Sequence, residues 1–330
     1  MSTAARPLQG VTSQTVMRGA SLTCAADPSG PSNVRSGVVN AMTIDVEDYF
    51  QVEAFASTID RKDWDRLPQR VERNTERILD ILAETGAQAT FFVLGWIGQR
   101  YPGLVRRIIA DGHELASHGS DHIRVDRLSL EAFRADVHQS KCILEDCGGV
   151  VVRGYRAPTF SIGRGSSWAH EILLEEGFLY SSSVYPRKHD LYGSPGAPRT
   201  AFAPIAGIVE VPLTTVRICR IDVPASGGGY FRLFPYRLTR WLLDQANRRN
   251  RGPAVFYLHP WEVDPDQPRQ HQAPRVSRFR HYLNLGLTEP RLRRLLGDFR
   301  WARMDRLFMA DGEQPVPLIT SWTDRKPRFR

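Results

Sequence analysis

The sequence is poor in lysine, in cysteine and in long apolar runs. Only four of its 44 basic residues are lysines, and with 36 acidic residues the 330-residue chain carries a formal net charge of +8. We interpret the arginine bias as genome composition, so the positive charge predicts scattered solvated side chains rather than a nucleic-acid surface. No apolar run approaches the roughly 18–20 residues needed to cross a bilayer, and the sequence therefore predicts no transmembrane helix.

The few cysteines indicate neither a zinc ribbon nor a disulfide framework. None of the four forms a CxxC pair, and Cys142 and Cys147 lie five positions apart in a helical pattern, where a bridge is hard to form. We therefore expect a reducing compartment. The first 18 residues are mixed and polar and lack the apolar segment of a secretory signal, which makes a cytoplasmic location the expectation.

Hydrophobic patterning begins only after the first 37 residues. Residues 1–37 are rich in Ser, Ala, Gly, Pro and Thr, which predicts a flexible leader outside the fold. From Val38 onward, apolar strand-like runs alternate with helical ones, as is typical of an α/β barrel or a doubly wound sheet. The Pro- and Gln-rich stretch 264–278 predicts a long surface loop.

Titratable residues follow the ends of several predicted strands. Because the carboxyl ends of parallel strands gather at one rim of an α/β barrel, these residues predict a single site. They are Asp45, Glu47 and Asp48 after the first strand, His118 and His122 after the third, Arg156 after the fourth, and His259 after the strand at 254–258.

Two of these groups together indicate a metal site. His118 and His122 have HxxxH spacing, which places both imidazoles on one face if the segment forms a helical turn. Two imidazoles and one carboxylate are a common catalytic zinc set. The carboxylates crowded into residues 45–48 repel one another unless a cation is present. Surface histidines and an exposed acidic turn are the alternative interpretation.

Five segments, in order, resemble the motifs of the NodB-type polysaccharide deacetylases, carbohydrate esterase family 4. The Asp-Val-Glu-Asp-Tyr-Phe opening and the Leu-His-Pro-Trp-Glu ending resemble in particular the deacetylases found with exosortase and exopolysaccharide gene clusters. The resemblance covers about residues 38–307. The five segments are Thr43–Asp45, Ala89–Val93, Gly112–His122, Arg156–Pro158 and Leu258–Glu262.

The resemblance implies a fold and an activity. The expected fold is a deformed (β/α)7 barrel over residues 38–310, with residues 200–328 including a C-terminal region specific to the subgroup. The expected activity is metal-dependent hydrolysis of N-acetyl groups from an N-acetylated polysaccharide or glycan intermediate in exopolysaccharide biosynthesis, with a divalent metal, most often zinc. The expected partner is this glycan, with no nucleic acid and at most peripheral contact with a membrane-bound glycan assembly system.

The resemblance also implies a role for each polar residue at the rim. In relatives, the metal-binding acid follows the base directly or after one residue. Val46 fills the first position here, so Glu47 and Asp48 both remain candidates, with a slight preference for the shorter Asp48. The other implied roles are His118 and His122 as metal ligands, Asp45 as general base, Arg156 as its orienting partner, and His259 as general acid.

One position departs from the family pattern. Many relatives carry an Asp that orients the acid histidine, but Ser181 occupies the expected place, and a serine brings no charge to stabilise an imidazolium. Tyr155, Phe160 and Trp261 are candidate substrate-stacking residues, although packing in the core is the more ordinary role for such side chains.

Two alternative functions stay open. A metal-free amide hydrolase on the same barrel, similar to allantoinase-like relatives, follows if no acid stands at the metal position. A non-catalytic glycan-binding protein is favoured by Ser181.

Overall fold

The computed structural model describes residues 37–190 and 192–310, together with Met1 and a short strand at 314–315. Nearly all of the predicted leader, residues 1–37, lies outside the described residues. Within these ranges no helix is both long and apolar enough to cross a membrane. Cys142, Cys147 and Cys219 are free thiols, as the cysteine spacing predicted for the first two.

The strands and helices alternate along most of the chain. The strands are β1 (Val39–Val46), β2 (Thr90–Val93), β3 (Glu114–Ser117), β4 (Gly154–Tyr155), β5 (Tyr180–Ser181), β6 (Phe202–Ile205), β7 (Ile208–Glu210), β8 (Thr215–Ile218), β9 (Ile221–Pro224), β10 (Val255–Leu258), β11 (Arg300–Ala302), β12 (Met309–Ala310) and β13 (Gln314–Pro315).

The helices are α1 (Val71–Thr85), α2 (Gly95–Arg100), α3 (Pro102–Ala110), α4 (Leu130–Gly148), α5 (Ala169–Glu175), α6 (Gly228–Leu233), α7 (Tyr236–Asn250), α8 (Arg275–Tyr282), α9 (Thr288–Asp298) and α10 (Met304–Phe308). Short 3-10 turns lie at Glu53–Phe55, Arg61–Arg66, Val125–Arg127, Pro158–Phe160, Arg164–Ser166, Pro260–Val263 and Leu285–Leu287.

The main sheet is a run of parallel strands in the order β10-β1-β2-β3-β4-β5-β7. At one end β6 pairs antiparallel with β7, and β11 pairs parallel with the start of β1. With helices between the strands, this arrangement is the predicted deformed (β/α)7 barrel. All carboxyl ends of the parallel strands therefore open toward the same rim.

Local sequence signals account for several of the element boundaries. Helix α1 buries Ile78, Leu79 and Leu82, and Gly86 ends it in the left-handed conformation with φ of 65°. Helix α4 begins after Ser129, whose side chain accepts a hydrogen bond from the Ala132 N–H. Local sequence thus marks both of these boundaries.

The predicted surface loop at 264–278 is wrong over its last residues. Helix α8 begins at Arg275, directly after Pro274. His281 is its buried residue, whereas Val276 and Phe279 are exposed. The helix therefore lacks the buried apolar stripe that periodicity detects.

Gly227, directly before α6, makes a close backbone contact that requires a glycine. Gly227 has φ of 107° and forms a bridge with Tyr257 of β10. A Cβ at this position would lie 2.2 Å from the Tyr257 carbonyl oxygen, so only glycine fits. Gly227 thus allows the chain to pass close to the backbone of β10.

Replacing Gly227 with alanine should destabilise the fold by at least about 1–3 kcal/mol, because the added Cβ meets backbone and the backbone conformation is strained. Gly229→Ala is the matched control, since the nearest atom to its Cβ would be Arg232 Nη2 at 3.9 Å. Urea unfolding of both variants checks this. Equal free energies of unfolding for both would contradict the close-approach argument.

Candidate metal and catalytic site

The rim of the barrel holds a small cavity of about 140 Å³. Its polar lining comes from the ends of different strands: residues after β1, β3 and β10 all reach it. Most of the site residues predicted from sequence are therefore brought together. The lining residues are Asp45, Glu47, Val52, Glu53, His118, His122, Thr159, Phe160, Tyr192, Tyr257, His259 and Trp261.

Glu47, His118 and His122 form a cluster suited to a metal ion. One ligand atom from each lies within 4.8 Å of the others. Glu47 and His118 are buried, and the His122 Nε2 lies 2.7 Å from Glu47 Oε2. One carboxylate and two imidazoles match the ligand set of catalytic zinc sites, which leave a position open for water.

An irregular loop, and not the predicted helical turn, brings the two histidines together. Residues 118–122 form an irregular loop, in which Gly119 and His122 both have positive φ, of 79° and 55°. Asp136 on α4 holds the loop by accepting a hydrogen bond from the Ser120 N–H at 3.1 Å. The rings of His118 and His122 consequently lie 5.3 Å apart, so the prediction of proximity is confirmed and its helical explanation is wrong.

His118 is oriented as a metal ligand. Its Nδ1 lies 2.8 Å from the carbonyl oxygen of Arg156, which can only accept a hydrogen bond, so Nδ1 carries the proton. The unprotonated Nε2 is then free for a cation. Burial lowers the pKa of His118 to about 4, which keeps the imidazole neutral at ordinary pH.

Glu47 is buried and charged. Burial alone would raise its pKa, but the neighbouring His122 and His259 outweigh that effect and hold the pKa at about 2. Oε1 accepts a hydrogen bond from Trp261 Nε1 at 3.3 Å, and Oε2 lies 2.7 Å from His122 Nε2. A buried, ionised carboxylate beside two imidazoles fits a bound divalent cation.

Asp48 accepts backbone hydrogen bonds and does not reach the histidines. The preference for Asp48 as the metal-binding acid was therefore wrong. The Oδ1 of Asp48 accepts a hydrogen bond from the Tyr49 N–H at 2.8 Å. Its Oδ2 accepts from the N–H groups of Arg70 and Val71, at 2.6 and 2.9 Å. Asp48 thus satisfies the free N–H groups at the start of α1. Glu47 is the residue that reaches the histidines, because it lies two positions after Asp45 on the same face of the chain.

Asp45 is paired with a buried arginine, as the resemblance implied. Arg156 Nη1 donates to Asp45 Oδ1 at 2.6 Å, and both side chains are almost fully buried. The guanidinium also donates to Thr43 Oγ1 at 2.8 Å and to the Ser182 carbonyl at 3.1 Å. Asp45 is therefore fixed at the edge of the cavity with its charge balanced.

His259 is held by a residue that the sequence analysis did not single out. Its Nδ1 lies 2.8 Å from Glu262 Oε1, and its Nε2 lies 3.3 Å from Glu47 Oε1. Burial opposes protonation, but Glu47 and Glu262 outweigh it and raise the pKa of His259 to about 9. The sequence did offer one signal for this contact: Glu262 lies three residues after His259 in the last motif.

The aromatic candidates differ in their surroundings. Tyr155 is completely buried and packs edge-on against Phe133 and Phe178, so its prediction as a substrate-stacking residue is wrong. Phe160 and Trp261 do line the cavity, but both are buried, and Trp261 stacks on His259 with ring centroids 5.1 Å apart. They form the wall of the site.

Two family models match the chain. The model described as "Polysaccharide deacetylase" covers residues 54–171. A second, described as "Domain of unknown function (DUF3473)", covers residues 182–309, which include His259 and Glu262.

Curated relatives match over part of their length. A chitooligosaccharide deacetylase of Rhizobium leguminosarum bv. trifolii is 35% identical over 100 residues, which are 30% of this chain and 43% of the relative. One from Bradyrhizobium sp. is 30% identical over 143 residues, 41% of this chain and 59% of the relative. A peptidoglycan-N-acetylglucosamine deacetylase of Bacillus cereus is 35% identical over 71 residues, 22% of this chain and 33% of the relative. Each match thus spans less than two thirds of the relative.

A solved structure supports the fold over nearly the whole chain. The crystal structure of a Mycobacterium smegmatis protein assigned to the polysaccharide deacetylases aligns with a TM-score of 0.54 and 21% identity. The alignment covers 90% of this chain and 99% of that protein.

Amide substitutions at the two neighbouring acids should separate their tasks. Glu47→Gln removes the charged ligand and should weaken zinc binding by at least about 10-fold. Asp48→Asn should keep zinc and lose about 1–3 kcal/mol of stability, because it disturbs buried hydrogen bonds at the start of α1. Equilibrium dialysis with zinc and thermal unfolding measure both effects. The reverse pattern would restore Asp48 as the ligand.

Proposed function

We propose that this chain, which belongs to the NodB-type polysaccharide deacetylases, removes N-acetyl groups from a glycan by metal-dependent hydrolysis. The observation that carries the proposal is that Asp45, the metal-ligand cluster and His259 all line the same cavity. A hydrolytic amide cleavage needs a group that accepts a proton from water and a group that gives one to the leaving amine. The two sides of this cavity supply both.

Glu47, His118 and His122 are the residues that would hold the divalent cation, most often zinc in this family. Such a cation polarises a carbonyl group and lowers the pKa of water toward ~7. The Nδ1–H bond from His118 to the Arg156 carbonyl keeps one ligand in the required tautomer. The negative charge of Glu47 balances part of the charge of the cation.

Asp45 is the proposed general base. It lies at the edge of the cavity, where its carboxylate accepts the proton of the attacking water. The buried Arg156 bonds one of its oxygens, so the other is left to face the reaction. This arrangement fixes the orientation of the base before substrate arrives.

His259 is the proposed general acid. When the C–N bond breaks, its electron pair goes to nitrogen, which takes a proton from His259 Nε2 and leaves as the sugar amine. Acetate is the other product. The Glu262 carboxylate, which bonds Nδ1, favours the protonated imidazole that donates to the amine.

The substrate class is proposed from the relatives and the motifs. The matched relatives are described as acting on chitooligosaccharide or peptidoglycan N-acetylglucosamine. We extend this to an N-acetylated polysaccharide or glycan intermediate. The context of exopolysaccharide biosynthesis rests on the resemblance of the opening and closing motifs alone.

The two alternative functions lose the features that favoured them. A metal-free amide hydrolase required the metal acid to be missing, and Glu47 stands in that place. A non-catalytic binding protein rested on Ser181, and Glu262 provides the carboxylate beside His259.

Acetate release from a panel of N-acetylated oligosaccharides tests the proposal. The wild-type protein should release acetate, a chelator should abolish this activity, and added zinc should restore it. Asp45→Asn should keep bound zinc and lose about 10²–10⁴-fold in kcat, since the amide cannot accept a proton. Full activity in the metal-free protein would favour the metal-free alternative.

His118→Ala should lose zinc and activity together, because a catalytic site has few protein ligands. His138→Ala is the matched control, since His138 lies exposed on α4 and bonds Glu176 outside the cavity. Metal analysis and acetate release measured on the same samples check this. Zinc retained at full occupancy in His118→Ala would rule out this ligand set.

A further inference from the structure

Glu262 is completely buried, and one of its carboxylate oxygens bonds His259. Its Oε1 accepts hydrogen bonds from the His259 Nδ1, at 2.8 Å, and from the His259 backbone N–H, at 3.1 Å. A carboxylate can only accept, so the Nδ1 of His259 carries a proton. The opposite ring nitrogen, Nε2, is then the one that faces Glu47 and the cavity.

Arg232 on α6 fixes Glu262 in turn. Its Nε donates to Glu262 Oε2 at 2.6 Å, and both side chains are buried. Its Nη1 donates to three backbone carbonyls, those of Arg280, His281 and Leu283, at 3.0, 2.7 and 2.9 Å. The guanidinium therefore cannot rotate without breaking several bonds, and the position of Glu262 is determined by the fold.

The faces of the His259 ring are also enclosed. Trp261 stacks on it with an interplanar angle of 18°, and Tyr257 meets it edge-on at a centroid distance of 5.4 Å. Ser181, by contrast, donates its hydroxyl to Ser183, at 2.8 Å, in a group of serines that supports the end of β4. Ser181 thus does not take over the task of orienting the histidine.

We propose that Glu262, backed by Arg232, is the positioning residue that directs His259 Nε2 toward the leaving amine. The inference rests on the proposed deacetylation and adds a residue to it from within the last motif. When the amine leaves, it takes the Nε2 proton. The histidine remains neutral with its Nδ1–H still bound to Glu262, and it regains the Nε2 proton from solvent.

The leaving group provides the discriminating test. An N-acetyl amide needs a proton on its nitrogen before the C–N bond breaks, whereas para-nitrophenyl acetate releases a stable phenolate without one. Loss of the positioning residue should therefore slow hydrolysis of the amide and leave the rate of ester hydrolysis nearly unchanged. A purely structural defect lowers both rates alike.

Glu262→Gln should lower kcat for an N-acetylglucosamine oligomer by about 10–100-fold, with KM within about 2-fold of wild type. The rate on para-nitrophenyl acetate should change by less than about 3-fold. Glu262→Asp keeps the partner charge for Arg232 and shortens the reach to His259, so it should show a smaller but equally selective loss. The aspartate variant can replace Glu262→Gln in this test if the glutamine variant folds poorly. Poor folding of Glu262→Gln can arise because it leaves the charge of Arg232 buried without a counter-charge.

Glu114→Gln is the matched control. Glu114 is another buried glutamate, but it lies at the start of β3, away from the rim, and bonds Thr90 and Tyr180. It should leave the ratio of amide to ester rates unchanged. A parallel loss of both rates in the Glu262 variants, or no loss at all, would overturn the positioning role and leave the proposed function intact.

NMR of the imidazole nitrogens gives a readout that does not need activity. The wild-type protein should show a proton on His259 Nδ1, and Glu262→Gln should shift that signal or lose it. A wild-type protein that releases no acetate from any N-acetylated glycan contradicts the proposed function. An Nδ1 signal unchanged by Glu262→Gln contradicts the inference by itself.

Discussion

A buried guanidinium joins the strands that supply the site. The Arg156 side chain, which follows β4, bonds Thr43 and Asp45 of β1 and Ser182 after β5, and lies 4.1 Å over the Phe92 ring of β2. Its backbone carbonyl accepts the Nδ1–H of His118. One residue thus orients both the proposed base and a metal ligand, and removing either member of the buried pair would cost about 3–5 kcal/mol.

Much of the fold was predictable because it follows from local pattern. The strand at Val39–Val46 is a mostly apolar, buried run, α1 has a clear helical period ended by Gly86, and Ser129 is a regular N-cap. Strand order in a parallel barrel then places the residues after each strand at one rim. The meeting of Asp45 with Arg156, and of His118 with His122, needed only this reasoning and the motif order.

The finer geometry depended on contacts distant in sequence. The N–H groups of residues 70 and 71 bond Asp48 and so leave Glu47 as the acid that can bind metal. The shape of the 118–122 loop depends on Asp136 of α4, and on a left-handed His122 that a regular helical turn does not contain. The role of Glu262 depends on Arg232, which lies 30 residues earlier. None of these contacts leaves a periodic signal.

The central claim is that Glu47, His118 and His122 hold the cation. Asp45 lies beside the cation without binding it and acts as the general base. A crystal structure of the zinc-soaked protein, with anomalous data collected at the zinc edge, tests it most directly. The account predicts an anomalous peak bonded to a carboxylate oxygen of Glu47, to His118 Nε2 and to a ring nitrogen of His122, with Asp45 still paired with Arg156. A peak bonded to Asp48 or to Asp45 in place of Glu47, or no peak in this cavity, would contradict it.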